Sequence, residues 1–167
     1  LKPEQATALE LIRSRLETEE FGVVLLHGVT GSGKTRVYVD TSVIGGCEDD
    51  EFRDPSRRIL QRFVRGEFVL VLSDLTLQEL AQAPPAVRSH LAAVPEQHLE
   101  VLHLDSESED LAQAYVASGA LSAAMLADGQ HIAMASAARV DVLVSWNFKH
   151  IVNLFRIRAL NSVNLLR

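Results

Sequence analysis

Four oxygen-bearing side chains stand at places in the sequence where a fold could bring them together. Asp40 follows a short apolar run, Glu79 lies in a helical stretch, Asp128 opens an alanine-rich stretch, and Asn147 follows the last apolar run. Each alone is typical of a turn or cap residue. Carboxylates that converge repel one another unless a cation neutralises them, and hard divalent cations prefer such oxygens. The set therefore indicates a candidate divalent-cation site.

A second candidate chemistry is phosphate binding by a glycine-rich loop. Gly28 to Thr35 fits the pattern G-x-x-x-x-G-K-[ST] and follows an apolar run, Val23-Val-Leu-Leu26, that predicts a strand. In such a loop the backbone amides hold phosphate oxygens, the lysine neutralises them and the threonine binds Mg²⁺. The candidate nucleotide-binding residues are Gly28, Gly33, Lys34 and Thr35.

The residues after the loop do not fit a working nucleotide site. A phosphate-binding loop needs a helix that begins at its lysine, whereas Arg36-Val-Tyr-Val-Asp40 favours a strand. The nearest imitation of a second nucleotide motif is Phe68-Val-Leu-Val-Leu-Ser-Asp74, and no glutamate follows it. We therefore expect weak or no ATP binding and no ATP turnover.

The elements that would position these residues alternate along the chain. Apolar runs predict strands near 36–40, 68–72, 99–104 and 140–144, with helical patterns between them. Such alternation predicts an α/β three-layer sandwich with a central parallel sheet, whose site lies at the carboxyl ends of the strands. Before this block, residues 1–35 predict a helix–strand–P-loop appendage.

Composition limits the classes of function. The 167 residues suffice for one ordinary domain with an appendage. The 22 acidic and 16 basic residues give a net charge of -6, which excludes bulk attraction to nucleic acid or anionic membranes. A single cysteine cannot form an internal disulfide, and no apolar run approaches the roughly 20 residues of a membrane span. We expect a soluble, cytoplasmic protein with no membrane partner.

From residue 36 to 167 the sequence resembles the PIN-domain nuclease family, including the VapC-type toxins. The matching motifs occur in the family's order: Asp40-Thr-Ser at a strand end, Leu77-Gln-Glu-Leu-Ala on a helix, Ala127-Asp-Gly-Gln-His-Ile-Ala on a second helix, and Ser145-Trp-Asn-Phe-Lys-His after a late strand. The resemblance implies a PIN-like endoribonuclease that depends on Mg²⁺ or Mn²⁺, of the kind used by toxin–antitoxin modules.

The same resemblance assigns roles and partners. It implies that Asp40, Glu79, Asp128 and Asn147 are the metal ligands and catalytic residues, with Asn147 where many members carry a fourth aspartate. The implied partners are an RNA substrate, an antitoxin protein and a second copy of the chain. The amide at Asn147 also leaves open an inactive PIN scaffold that binds a partner.

The first 38 residues resemble a different family, the primosomal replication-restart helicases, around their first helicase motif. The chain therefore divides into a helicase-like P-loop segment, 1–35, which is incomplete, and a PIN-like domain, 36–167. An alternative function follows from the first block, a P-loop nucleotide-binding fragment of a DNA helicase.

Three further residues allow two interpretations each. Ser42 could orient a ligand or cap a backbone group, and His131 could assist Asp128 or be a polar edge residue. Trp146 could stack on a base or pack in the core.

Overall fold

The apolar runs of the sequence form one sheet. The computed structural model describes residues 25–26 and 34–166. The strands are β1 Leu25–Leu26, β2 Arg36–Val39, β3 Val69–Ser73, β4 Leu99–Leu102 and β5 Val142–Val144. Their order is β1-β5-β2-β3-β4, and β2 to β5 are all parallel while β1 pairs antiparallel with β5. The predicted central parallel sheet is confirmed.

Helices lie between the strands, as the alternation predicts, and one follows the last strand. Within the described ranges they are α1 Thr41–Gly45, α2 Arg53–Val64, α3 Asp74–Ala81, α4 Pro85–Ala92, α5 Ser106–Ala117, α6 Leu126–Ala137 and α7 Leu154–Asn164. None of these helices has the length and apolar character needed to cross a bilayer.

Successive strand residues point to opposite faces of the sheet and build two cores. Val37 and Val39 belong to one core, together with side chains of α1 to α4. Tyr38, between them, belongs to the other core, together with side chains of α5 to α7. The molecule is therefore a three-layer sandwich, which confirms the predicted fold class.

The strand register brings chemically active residues to one edge of the sheet. Val39 of β2 lies beside Val144 of β5. The residues that follow this pair, Asp40 and Ser145, are therefore neighbours at the carboxyl ends of parallel strands. This is the edge at which open α/β sheets bind ligands.

Local capping starts two of the helices near this edge. Ser73 caps α3 and accepts a hydrogen bond from the amide of Thr76 at 3.1 Å. Asp105 caps α5 and accepts a hydrogen bond from the amide of Ser108 at 2.8 Å. Serine and aspartate are both favourable N-cap residues.

The junction between the two predicted blocks is a strand. Thr35 precedes β2 directly, and its carbonyl accepts a hydrogen bond from the amide of Val69 at 2.9 Å. The predicted strand toward Asp40 is thus confirmed, and no helix begins at Lys34. Of the predicted strand Val23–Leu26, the structure describes Leu25 and Leu26 as β1. The predicted N-terminal helix, Gly28 and Gly33 lie outside the described residues.

Candidate functional site

Asp40 occupies the centre of the carboxyl edge of the sheet. It stands at the N-cap of α1, yet its side chain makes no capping hydrogen bond. Its Oδ1 instead accepts from the Ser42 hydroxyl at 2.6 Å, and its Oδ2 accepts from the Ser145 hydroxyl at 2.7 Å. The carboxylate is therefore held by two side chains and is not used to stabilise a helix end.

The surroundings of Asp40 disfavour its charge. The side chain is only 6% exposed, and burial raises the pKa of this carboxyl. The hydrogen bonds from Ser42 and Ser145 and the nearby His131 oppose that rise without cancelling it. A buried carboxylate in this state would be stabilised by a cation.

Asp128 is connected to Asp40 through the loop after β5. The Asn147 side-chain amide donates to Asp128 Oδ1 at 2.8 Å, and the Asn147 backbone amide donates to the Ser145 hydroxyl at 2.9 Å. The side-chain oxygen of Asn147 accepts from the backbone amide of His150 at 3.1 Å. Asn147 thus orients Asp128 and fixes the turn after the strand.

Glu79 reaches the same edge from α3. Its Oε2 accepts a hydrogen bond from the Thr41 hydroxyl, next to Asp40 in the chain. Its Oε1 lies 3.7 Å from His131 Nε2. His131 is one helical turn after Asp128 on α6, so α6 presents both residues toward the sheet edge.

His131 is a buried member of the site. It is only 4% exposed, and its Nδ1 lies 2.6 Å from the hydroxyl of Tyr38. That hydroxyl also donates to Ser73 at 2.9 Å, and burial raises the pKa of Tyr38, so the phenol stays protonated. The contact with Tyr38 fixes Nδ1 of His131, and Nε2 of the same ring faces Glu79.

The four predicted site residues therefore meet at one edge but do not form a closed cage. Among residues 25–26 and 34–166, no group of three His, Cys, Asp or Glu side chains is close enough to hold a metal ion. Mg²⁺ commonly uses one or two carboxylates and completes its shell with water and substrate phosphate. Asp40 and Asp128 are the two carboxylates that the hydrogen bonds through Ser145 and Asn147 connect, and the four-residue ligand set stays a prediction.

Two members of the site are not identified from the sequence. Ser145 holds Asp40, and Tyr38 holds His131. Ser145 directly follows β5, and β5 pairs with β2, which Asp40 directly follows. Its position after a strand could therefore have identified Ser145 from the sequence. Tyr38 lies inside an apolar strand, where a hydroxyl gives no indication of its partner.

Trp146 and Cys47 are buried and take part in packing. The Trp146 indole is 9% exposed, donates to the Ser56 hydroxyl at 2.8 Å and stacks on Phe52 with ring centroids 5.2 Å apart. Packing is thus its role in this conformation. Cys47 is fully buried, and burial raises the pKa of its thiol to about 11, so it is no nucleophile at neutral pH.

Comparison with known proteins finds similarity in the N-terminal region, over about a quarter of the chain. No protein-family model matches. Replication restart protein PriA of Bacillus subtilis (strain 168) is 54% identical over 41 residues, and PriA of Chlamydia pneumoniae is 51% identical over 39 residues. These segments are 25% and 23% of this chain, and the chain spans only 5% of the length of each relative.

The similarity agrees with the resemblance of the N-terminal region to replication-restart helicases. It gives no support to the PIN-domain resemblance of residues 36–167.

Proposed function

We propose that residues 36–167 form a divalent-metal-dependent endoribonuclease that acts through Asp40, Glu79, Asp128 and Asn147. The observation that supports it best is the path of hydrogen bonds from Asp40 through Ser145 and Asn147 to Asp128. Residues 88 positions apart in sequence are linked by this path at the edge where α/β sheets bind ligands.

Each residue has a role in this proposal. Asp40 and Asp128 would hold Mg²⁺ or Mn²⁺, and the bound cation would supply Lewis-acid chemistry for a water nucleophile and for the charge on the scissile phosphate. Asn147 positions Asp128 through its amide. Glu79, which accepts a hydrogen bond from Thr41 and lies beside His131, would accept a proton from the attacking water.

Positive charge beside the site supports an anionic substrate. Residues 146–166 include Lys149, Arg156 and Arg158 and no acidic residue. Arg156 contacts the sulfur of Met125, three residues before Asp128, so its guanidinium lies near the start of α6. A local basic rim lets a protein of net charge -6 approach a phosphate backbone.

The test is cleavage of single-stranded RNA by the full chain with Mg²⁺, Mn²⁺ or EDTA. We expect cleavage with either metal, none in EDTA, and none by Asp40→Asn. Because water is the attacking group, the products should carry no cyclic phosphate. Asp110→Asn, an exposed acid of α5, is the matched control and should retain activity. Cleavage that survives Asp40→Asn or EDTA contradicts the proposal.

If the enzyme is the toxin of a toxin–antitoxin module, an antitoxin protein is its expected partner. Co-expression with the product of the neighbouring gene should then suppress RNA cleavage and yield a stable complex.

The similarity to PriA favours a second candidate, nucleotide binding at Gly28, Gly33, Lys34 and Thr35. Against it, the chain continues from Thr35 into β2, so the helix that would direct its N-terminus at the phosphates does not begin at Lys34. We predict no ATPase activity and weak or no ATP binding by calorimetry. Micromolar ATP affinity that Lys34→Ala abolishes would establish the second candidate.

A further inference from the structure

An open cleft of about 440 Å³ lies between α3 and α6, next to the proposed catalytic centre. Its α3 wall includes Leu75, Gln78 and Gln82, and its α6 wall includes Gln130. At one end it reaches Glu79 and His131, the pair that faces the sheet edge. A molecule in the cleft would therefore touch the site without covering Asp40.

The cleft is suited to a neutral polar ligand. Three glutamine amides line it, each with an acceptor oxygen and two donor hydrogens. Among its lining residues none is lysine or arginine, and Glu79 is acidic, so a phosphate group would be repelled. Leu75 adds an apolar surface on which a flat ring can lie.

The positions of the glutamines on the two helices direct their amides into the cleft. Leu75 and Gln78 are three residues apart on α3, and Gln82, four residues later, is the C-cap of the same helix, so the three share one face. Gln130 faces them from α6, one residue before His131. Donors and acceptors thus come from two walls, as recognition of a base edge requires, and glutamine pairs in a bidentate manner with adenine.

We propose that this cleft binds an unpaired nucleobase, with adenine preferred, beside the scissile phosphate. The inference rests on the proposed ribonuclease function in that the RNA backbone would lie outside the cleft, at the cation that Asp40 and Asp128 would hold beyond its Glu79 end. The base must be unpaired, because a base stacked inside a duplex cannot turn out into the cleft and lie on Leu75. The cleft thus gives the nuclease its sequence preference.

The test measures binding by fluorescence anisotropy, with the full chain and short labelled oligoribonucleotides. Oligo(A), oligo(C), oligo(U) and an abasic oligomer of equal length are compared in Ca²⁺ and in EDTA, where cleavage is not required. We expect oligo(A) to bind most tightly and the abasic oligomer most weakly. Gln78→Ala with Gln130→Ala should weaken oligo(A) binding on the order of tenfold and reduce the differences between oligomers.

The matched control is Gln61→Ala with Gln113→Ala, two exposed glutamines on α2 and α5. It should bind as the wild type does. Equal affinity for oligo(A) and the abasic oligomer, equal affinity of the cleft and control variants, or no binding of oligo(A) in either buffer overturns the inference.

The two proposals can fail separately. A protein that cleaves RNA but binds all oligomers alike keeps the ribonuclease proposal and loses the base site. A protein that selects oligo(A) through the cleft but cleaves nothing keeps the base site and loses the ribonuclease proposal.

Discussion

Asp40 is the residue whose environment is least compatible with its charge. Because burial raises its pKa in the folded protein above the unfolded value of about 3.9, the folded state binds the proton more tightly. Its contribution to stability is therefore complete below about pH 4 and is lost as pH rises through the folded pKa.

We predict that Asp40→Asn removes this pH-dependent loss. In EDTA, the variant should be more stable than the wild type near neutral pH, by about 1 kcal/mol, and the difference should vanish toward pH 4. Urea denaturation at several pH values measures it. If the difference in the free energy of unfolding between the two proteins stays constant with pH, the Asp40 charge costs no stability.

A divalent cation should make the wild type more stable than Asp40→Asn. A ligand that binds only the native state stabilises it by mass action. We predict that Mg²⁺ or Mn²⁺ raises the Tm of the wild type, and that Asp40→Asn and Asp128→Asn abolish both this rise and RNA cleavage. The exposed-acid variant Asp110→Asn should keep the rise. If both site variants keep it, the carboxylates do not share a metal site.

Substitution of Asn147 by aspartate tests the same site by adding a negative charge. In Asn147→Asp a carboxylate replaces the amide that donates to Asp128 at 2.8 Å, so two like charges meet and a hydrogen bond is lost. We predict lower stability in EDTA, by about 1–3 kcal/mol, and a larger rise in Tm with Mg²⁺ than in the wild type. A variant that is less stable in EDTA and shows no larger metal effect would indicate that Asn147 only supports the fold.

At the scale of elements, the turn after α1 supports the loop that carries Ser145 and Asn147. A Cβ at Gly46 would lie 2.4 Å from the Ser56 hydroxyl and 2.9 Å from Trp146 Nε1, which are hydrogen-bonded to each other. At Gly45 a Cβ would meet nothing within 4 Å. Both glycines have helical backbone angles, so only space distinguishes them.

We predict that Gly46→Ala lowers the free energy of unfolding by about 1–3 kcal/mol through overpacking. Gly45→Ala should raise it by about 0.5 kcal/mol, because alanine restricts the unfolded chain. Because Trp146 lies between Ser145 and Asn147, Gly46→Ala should also reduce RNA cleavage. Equal stability of the two variants would contradict the tight contact at Trp146.

The elements themselves are predictable from the sequence, and their side-chain partners are not. The apolar run before Asp40 predicts β2 because β-branched and aromatic residues favour strands, and the structure confirms it. Asp40 could be placed at the carboxyl edge by the same reasoning. That Ser145 would hold it depends on the pairing of Val39 with Val144, a register that no local pattern specifies.

His131 shows the same limit on α6. Its spacing from Asp128 places both on one helical face, as the sequence predicts. Its burial and its bond to Tyr38 depend on how closely an alanine-rich helix packs on the sheet. Packing depth is a property of both partners, so it could not be obtained from the helix alone.

At the scale of the whole molecule, both cores lie within the block from residue 36 to residue 167. Among the described residues, the members of the two buried clusters run from Val37 to Leu160. The N-terminal segment contributes β1, which pairs with β5 at the edge of the sheet through Leu25 and Leu26. The four parallel strands and the helices on both of their faces are formed by described residues that follow Thr35.

We therefore predict that a chain beginning at Lys34 folds, binds Mg²⁺ and retains RNA cleavage. Its loss of stability should be small, because the edge exposed on β5 is three residues long. Circular dichroism, urea denaturation and the cleavage assay compare it with the full chain, and the Mg²⁺-induced rise in Tm reports the site directly. An unfolded or insoluble product would mean that residues 1–33 share a core with the rest. A folded product that no longer cleaves RNA would instead give the P-loop segment a part in the reaction, since the carboxylates of Asp40 and Asp128 would still be present.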